Sequence, residues 1–388
     1  MMKKSLSIIA AALLSVSLFA EGSKDYVKQE INANDRCLPT FYESILKKWD
    51  FSLGWKDGNA KKWKKAGLEK AKELIIQNED KTPFDMVVIA EEQREGYKAQ
   101  KVVFNISEES RVLAYLLIPD GGKKYPAALM LHDHGSKFVI GKEKMVKPFG
   151  DTEEDAKKLT EAENWSVKYF GGQFPGDELA KRGYVVLSFD ALGWGDRSVD
   201  GFKTASQQSL GSNLFNMGTS FAGIIAQEDC RAAKFLASLP QVDKKKVACI
   251  GFSMGGFRSW QLAALSDDIT AGVAVCWFGT MKGHIKIGDG QLKGNSAFSM
   301  LHPTIAKYLD YPDVAGLAAP KPMYFIGGDS DAVNPTEGTK AAYEVVHKIW
   351  KANKAEDKLK TELLPGGSHE YLPAQQVSSF DWLDSQFK

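Results

Sequence analysis

The residues best suited to chemistry in this chain lie in the segment Gly251-Phe-Ser-Met-Gly255, where glycines stand two positions before and after a serine. A short apolar run ends at Gly251, and the residues after Gly255 are typical of a helix. A strand that turns sharply into a helix strains its central residue, and small neighbours let the chain pass without a Cβ clash. The segment therefore predicts a nucleophile elbow that presents the Ser253 hydroxyl at the edge of a sheet.

Serine attacks an ester only with a histidine to take its proton and a carboxylate to orient that histidine. In such a sheet the chain order is serine, acid, histidine. His369, in a glycine-rich loop between the last predicted strand and helix, is the predicted base. Asp329 and Asp331 both follow a predicted strand, where sites form in parallel sheets. The pattern G-x-x-D-x-x-x-P favours Asp331 as the acid and leaves Asp329 as the alternative.

Two backbone N–H groups are predicted to bind the oxyanion of the tetrahedral intermediate. One belongs to Met254, directly after the nucleophile. The other belongs to Ser136 or Lys137, in a histidine-glycine turn that follows a buried apolar run. The histidines of that turn, His132 and His134, have no further metal-ligand set nearby, so we expect no metal there.

The substrate pocket is predicted less directly, from aromatic and polar residues near strand ends. His134, Trp194 and Trp277 are its candidates, and core packing is the alternative for each tryptophan. Two long segments, 139–175 and 279–318, interrupt the strand–helix rhythm. Such insertions in a compact fold commonly act as lids or binding loops.

Composition and rhythm indicate one large α/β domain. The chain has 388 residues, 44% hydrophobic and 26% charged, and a net charge of +1. The near-zero charge argues against nucleic-acid binding, because no basic excess is available for phosphates. Apolar strands that alternate with amphipathic helices predict a mostly parallel sheet covered on both faces. We expect a helical extension at 21–80 and the catalytic domain at 81–388, with lid-like insertions.

The first 20 residues have the features of a signal peptide. Lys3 and Lys4 precede an apolar run, Leu6 to Leu18, that is too short to span a bilayer, and Ala20 fits a cleavage site. We therefore expect a periplasmic or secreted protein without stable membrane association after cleavage.

The four cysteines, Cys37, Cys230, Cys249 and Cys276, are predicted to be mostly unpaired thiols, although an oxidising compartment permits disulfides. Cys249 and Cys276 lie in predicted buried strands, where a free cysteine behaves as a small hydrophobe. Cys37 with Cys230 is the first pair to test.

Taken together, Ser253, Asp331 and His369 resemble the catalytic set of the α/β-hydrolase superfamily. Further stretches are similar to its dienelactone hydrolase-like and acetyl xylan esterase branch of secreted bacterial esterases. They include Leu131-His-Asp-His-Gly135, Gly141-Lys-Glu-Lys144 and Ala191-Leu-Gly-Trp-Gly195. The resemblance covers roughly residues 80–388.

This resemblance implies a cofactor-free serine esterase that acts on a small-molecule or polysaccharide ester, typically removing acetyl groups from plant polysaccharide. The chain departs from the branch at two places. Ser253 stands where true dienelactone hydrolases carry a cysteine, and His134-Gly135-Ser136 stands where well-known deacetylases have His-Gly-Tyr.

Two alternatives remain open. One keeps the serine mechanism but changes the bond, as in a glucuronoyl or other carboxylic ester hydrolase or a peptidase. The other is a non-catalytic carbohydrate-binding protein on a hydrolase scaffold, against which the complete triad argues.

Overall fold

The structure, a computed structural model, describes residues 45–76, 79–122, 124–150, 152–285 and 297–387. The chain divides into two compact units, Met1–Trp49 and Asp50–Lys388. Only residues 45–49 of the first unit are described, so the predicted signal peptide lies outside the described residues. All elements named below belong to the second unit.

Within the described ranges, nine strands form one sheet in the order β1-β2-β3-β5-β4-β6-β7-β8-β9. The first three strands and the β3–β5 pair are antiparallel, whereas β5 to β9 run parallel to one another and to β4. The strands are β1 (Val87–Arg94), β2 (Tyr97–Ser107), β3 (Ser110–Pro119), β4 (Tyr125–Leu131), β5 (Val185–Phe189), β6 (Val242–Phe252), β7 (Ala271–Val275), β8 (Met323–Gly328) and β9 (Leu359–Leu364).

Helices connect most of the parallel strands, and further helices precede β1 and follow β9. They are α1 (Ala60–Ile75), α2 (Glu153–Tyr169), α3 (Pro175–Lys181), α4 (Thr204–Asn216), α5 (Phe221–Ser238), α6 (Met254–Leu265), α7 (Met281–His284), α8 (Tyr311–Gly316), α9 (Thr336–Ala352) and α10 (Pro373–Phe387). Among the residues that the structure describes, no helix combines the length and apolar character that crossing a membrane requires.

Both faces of the sheet are buried, which is why its central strands are apolar at successive positions. On one face, Ile250 of β6 shares a core with residues of α3 and α10, among them Leu179 and Phe380. On the other face, Phe104 of β2 stacks on Phe235 of α5, with ring centroids 4.0 Å apart. The predicted fold class, a mostly parallel sheet covered on both faces, is confirmed.

The predicted elements differ from the observed ones at their ends and in the helices α2, α4, α7 and α8, which the pattern does not predict. The sequence pattern predicts a helix over residues 227–239, but helix α5 begins at Phe221, because the Ser220 side chain caps it by accepting from the Gly223 N–H. Helix α2, within the segment 139–175, was not predicted. Its charged exposed face hides the apolar periodicity that identifies a helix.

The domain division at 80/81 stays a prediction. Helix α1, placed in the extension by the sequence, lies in the same compact unit as the sheet. Its Gly67 leaves so little room that a Cβ there would come within 2.6 Å of Leu317 Cδ2.

The cysteines that the structure describes are free thiols. Cys249 and Cys276 are buried and Cys230 is partly buried, and none of the three forms a disulfide. The expectation of unpaired thiols is confirmed for these residues. The pair of Cys37 with Cys230 stays a pair to test. Cys37 itself lies outside the described residues.

A buried ion pair joins the helix after the elbow to the neighbouring helix α5. The Arg258 guanidinium donates to both carboxylate oxygens of Asp229, at 2.7 and 3.0 Å, and both side chains are 1% exposed. A third Arg258 nitrogen lies 3.5 Å from the carbonyl oxygen of His132, at the end of β4. The pair therefore fixes α6 relative to the turn that follows β4.

Replacing Arg258 with methionine should lower the free energy of unfolding by about 3–5 kcal/mol, because it leaves Asp229 buried without a partner. The double variant Arg258→Met/Asp229→Leu should recover much of that loss. Urea denaturation measures both. Arg182→Met, which breaks a solvent-exposed bridge to Asp381, is the control and should cost less than about 1 kcal/mol. Equal stability of the two single arginine variants would contradict the prediction.

Candidate active site

Ser253 occupies the sharp turn between β6 and α6. Its backbone has φ 57° and ψ −121°, a conformation that a residue with a side chain rarely adopts. Its N–H donates to the Val275 carbonyl oxygen at 2.8 Å, which ties the turn to the end of β7. Such strain persists only where the surrounding structure holds it in place, as at functional sites.

The glycines of the G-x-S-x-G pattern are required by close backbone contacts. A Cβ on Gly251 would lie 2.0 Å from the carbonyl oxygen of Gly255. A Cβ on Gly255 would lie 1.9 Å from the carbonyl oxygen of Leu131, the last residue of β4. Both distances are far below van der Waals contact, so the pattern reflects the tight packing of the turn against β4.

The structure brings the three residues of the predicted triad together. His369 Nε2 lies 2.8 Å from Ser253 Oγ, and His369 Nδ1 lies 2.8 Å from Asp331 Oδ2. Ser253 and Asp331 are buried, whereas the His369 side chain is 18% exposed. When the Nδ1–H of His369 donates a hydrogen bond to the carboxylate, Nε2 is unprotonated and its lone pair can accept a hydrogen bond from the serine O–H. The arrangement can therefore transfer a proton from serine to histidine.

The two candidate acids have separate contacts. The second oxygen of Asp331 accepts from the backbone N–H of Val333 at 2.7 Å and of Asn334 at 3.2 Å, which fixes the carboxylate plane. Asp329 instead accepts from the Gly366 N–H at 2.7 Å, in the loop that carries the histidine. Asp331 is thus the aspartate that contacts His369, and Asp329 stabilises the loop.

Cys276 is a neighbour of this set that the sequence analysis treated only as a buried strand residue. It follows β7 with φ 57°, and its Sγ lies 3.3 Å from the Glu370 carbonyl oxygen. Burial and the nearby Asp331 carboxylate raise the pKa of the Cys276 thiol, so it stays protonated. The protonated thiol can donate a hydrogen bond to the Glu370 carbonyl oxygen, and this bond stabilises the loop that contains His369.

Two groups of side chains have metal-ligand atoms close together among the described residues. In the first, Cys276 joins Asp331 and His369, but both histidine nitrogens already bond within the triad and the thiol is protonated. In the second, Glu143, Asp190 and Asp196 surround Lys142 Nζ, which bonds all three at 2.5–2.8 Å. Both arrangements fit hydrogen bonding better than metal binding.

Residues 132–136 form a turn after β4, here called the 132–136 turn, that contains the predicted oxyanion donor. Gly135 and Ser136 have φ values of 51° and 56°. The Ser136 N–H donates to His134 Nδ1 across a long 3.3 Å, and His134 Nε2 donates to Gln207 Oε1 at 2.8 Å. The other predicted donor, Met254, is the first residue of α6, where a backbone N–H has no acceptor within the helix.

The three predicted pocket residues differ in their burial and in their contacts. His134 is half-buried on the 132–136 turn, and burial lowers its pKa, which keeps the ring neutral. Trp194 is fully buried and donates its indole N–H to the His134 carbonyl oxygen at 2.9 Å. Trp277 is also buried and stacks on His284, with ring centroids 4.6 Å apart. Neither indole is open to solvent in this structure.

Gln207, which holds His134, was missed by the sequence analysis. It lies on α4 and is 2% exposed. An isolated glutamine in a polar helix carries no signal that distinguishes it from a surface residue. Only the tertiary contact with His134 identifies it.

Known proteins resemble the chain in sequence and in fold. Residues 37–362 match the model of the Abhydrolase family. "Putative hydrolase YtaP" of Bacillus subtilis (strain 168) is 23% identical over 279 residues, which cover 72% of this chain and 85% of that protein.

Solved structures share the fold at lower identity. A "putative acetyl xylan esterase" from Bacteroides fragilis NCTC 9343 superposes with a TM-score of 0.68 and 18% identity, covering 86% of this chain and 84% of that one. A glucuronoyl esterase from Solibacter usitatus has a TM-score of 0.61 and 14% identity, covering 85% and 95%. These structures support the fold class predicted from the sequence.

Replacing Gly255 with alanine should destabilise the protein by about 3 kcal/mol or more, because the new methyl group meets the Leu131 carbonyl oxygen. Urea denaturation measures the loss. The matched control is Gly150→Ala, since no atom lies within 4 Å of a Cβ at that position. If the two variants were equally stable, the tight packing of the elbow against β4 would be refuted.

Proposed function

Because this chain belongs to the Abhydrolase family of α/β-hydrolases, we propose that it is a serine carboxylesterase that acts on ester-substituted carbohydrate. The observation that carries the proposal is the pair of 2.8 Å contacts that joins Asp331, His369 and the strained Ser253. Nucleophile, base and orienting acid are the parts that ester hydrolysis through an acyl-enzyme requires.

In the proposed acylation step, Ser253 Oγ attacks the ester carbonyl carbon while His369 Nε2 takes its proton. Asp331 stabilises the resulting imidazolium and keeps its Nδ1–H in place. The tetrahedral intermediate carries a negative oxygen, to which the N–H groups of Met254 and Ser136 donate. When the intermediate collapses, the carbon–oxygen bond to the alcohol breaks and His369 returns its proton to that alcohol.

Deacylation repeats these steps with water. His369 Nε2 takes a proton from a water molecule, whose oxygen attacks the acyl carbon. The second tetrahedral intermediate expels Ser253 Oγ, which recovers its proton from His369. The products are the carboxylic acid and the free enzyme, and the proposed steps require no cofactor.

The substrate class is supported by likeness and by the buried position of the nucleophile. The similar solved structures include proteins named acetyl xylan esterase and glucuronoyl esterase. Ser253 is only 9% exposed, which favours a short acyl group such as acetyl. The predicted signal peptide supports action outside the cytoplasm, where polysaccharide esters are found.

A glucuronoyl ester is the second candidate, favoured by the likeness to the glucuronoyl esterase fold. Its acid product remains attached to the sugar as a carboxylate, for which a nearby cation is a suitable partner. Among the described residues, the buried cations Lys142 and Arg258 are already bound to carboxylates. The buried Lys144 is bound to carbonyl oxygens of the 132–136 turn and to Asp133. This observation favours the acetyl ester.

Replacing Ser253 with alanine should lower ester hydrolysis at least about 10³-fold, because in the described part of the chain Ser253 is the residue whose hydroxyl bonds His369 Nε2. Acetate release from acetylated xylan and hydrolysis of 4-nitrophenyl acetate measure it. Ser385→Ala, an exposed serine on α10, is the control and should keep full activity. Undiminished turnover in the Ser253 variant would refute the serine mechanism, and a failure of the wild type to react with a fluorophosphonate would favour the carbohydrate-binding alternative.

The two aspartates should differ sharply in their effect on kcat. Asp331→Asn should reduce kcat about 10⁴-fold, because the histidine loses the acceptor that sets its tautomer. Asp329→Asn should change kcat by less than about 10-fold, since this carboxylate accepts from the Gly366 N–H and the Ser330 hydroxyl, whereas Asp331 contacts His369. Steady-state kinetics with 4-nitrophenyl acetate decide between them, and the reverse order would assign the acid to Asp329.

A further inference from the structure

Lys144 is a buried cation whose bonds all go to the 132–136 turn. It ends a short 3₁₀-helix, Lys142–Lys144, and its side chain is fully buried. Its Nζ donates to the carbonyl oxygens of His134 at 3.1 Å and Asp133 at 3.2 Å, and to Asp133 Oδ1 at 3.4 Å. The ammonium group also lies 4.8 Å from the centre of the Trp165 ring.

The neighbouring Lys142 is equally buried, and carboxylates compensate its positive charge. Its Nζ bonds three carboxylates at 2.5–2.8 Å. Lys144 has one carboxylate, at a long 3.4 Å, and that carboxylate also accepts from the Trp165 indole. Burial accordingly lowers the pKa of Lys144 although Asp133 opposes the shift. An apolar side chain at this position would avoid the cost of burying a charge, so stability alone does not explain Lys144.

The bonds of Lys144 determine how the peptide groups of the turn are oriented. In a trans peptide the C=O and the following N–H point in opposite directions. Because the His134 carbonyl oxygen is held by Lys144 and by the Trp194 indole, the Gly135 N–H points away from both. The two residues that follow this peptide have left-handed backbones, which is costly for Ser136.

Only glycine fits at position 135 while this conformation is kept. A Cβ there would lie 2.2 Å from the Trp165 ring and 2.4 Å from Asp133 Oδ1. Lys144 and Trp194 thus lie on the side of the turn opposite the Gly135 N–H, and Trp165 packs against Gly135 itself. Since oxyanion donors act by being oriented before the charge develops, the group that orients them affects the rate of the chemical step.

We propose that Lys144 is a positioning residue for ester hydrolysis, whose ammonium group holds the backbone of the 132–136 turn in the conformation from which the Ser136 N–H can turn from His134 to the oxyanion. The inference rests on the proposed serine esterase function. Lys144 touches neither the substrate nor the triad, and it acts through the carbonyl oxygens of Asp133 and His134. Its effect should therefore appear in kcat, since the oxyanion exists only after the attack by Ser253.

The test is the kinetics of Lys144→Met with 4-nitrophenyl acetate. We expect kcat to fall about 10- to 100-fold, less than or equal to the loss of one oxyanion donor, while KM changes less than about threefold. A kcat within threefold of wild type, or a loss confined to KM, would overturn the proposal. Near-UV circular dichroism confirms that the variant is folded.

Lys101→Met is the matched control. Lys101 is also a buried lysine, which bonds the Asp155 carboxylate at 2.8 Å and lies 5.0 Å from the centre of the Phe149 ring, but it lies on β2. Its loss should lower the melting temperature and leave kcat within about twofold. An equal fall in kcat for both lysine variants would show a general effect of destabilisation and overturn the proposal.

A second variant decides the matter if Lys144→Met does not fold. Trp194→Phe removes the other donor to the His134 carbonyl oxygen and keeps an aromatic ring in the core. We expect kcat to fall about threefold or more at unchanged KM, and an unchanged kcat would overturn the proposal.

The proposed function is tested separately. If the wild type hydrolyses no ester, the proposed function fails. If the wild type is active and the Lys144 variant is equally active, only the inference about Lys144 is refuted.

Discussion

The contact between the elbow and the end of β4 is the constraint on which the rest of the site depends. The Leu131 carbonyl oxygen leaves no space for a Cβ on Gly255, so β4 and the start of α6 lie at the shortest separation that backbones permit. This contact places the 132–136 turn beside Ser253. As a result the nucleophile and the predicted oxyanion donors come from two chain segments that the sheet itself holds together.

Buried cations stabilise both sides of this contact by binding carbonyl oxygens of the turn. Arg258, paired with Asp229, approaches the His132 carbonyl oxygen, and Lys144 bonds those of Asp133 and His134. Three consecutive carbonyls are thus directed toward positive charge, and the peptide dipoles are fixed before any substrate binds. Burying these charges costs free energy of desolvation. Their presence is therefore better explained by the geometry that they impose on the site than by a gain in stability.

Much of this arrangement could be predicted from the sequence, because local patterns carry it. The glycines around Ser253 report a backbone contact, and Asp331 and His369 follow strands whose carboxyl ends share one edge of the sheet. The rest depends on tertiary contacts without a local pattern. Gln207 looks like a surface residue in sequence, and the stretch Gly141-Lys-Glu-Lys144 carries a resemblance but assigns no role to Lys144. The burial of Trp194 and Trp277 separates core packing from the expected pocket only in the folded chain.

The most direct test of the central claim, that Ser253 carries the acyl group, is to trap the intermediate. The enzyme is mixed with 4-nitrophenyl acetate, quenched in acid within milliseconds, digested and analysed by mass spectrometry. We predict an acetyl group on the peptide that contains Ser253, formed in the wild type and absent from Ser253→Ala. Turnover without any acetylated peptide, or acetylation at another residue that accompanies full activity, would contradict this mechanism.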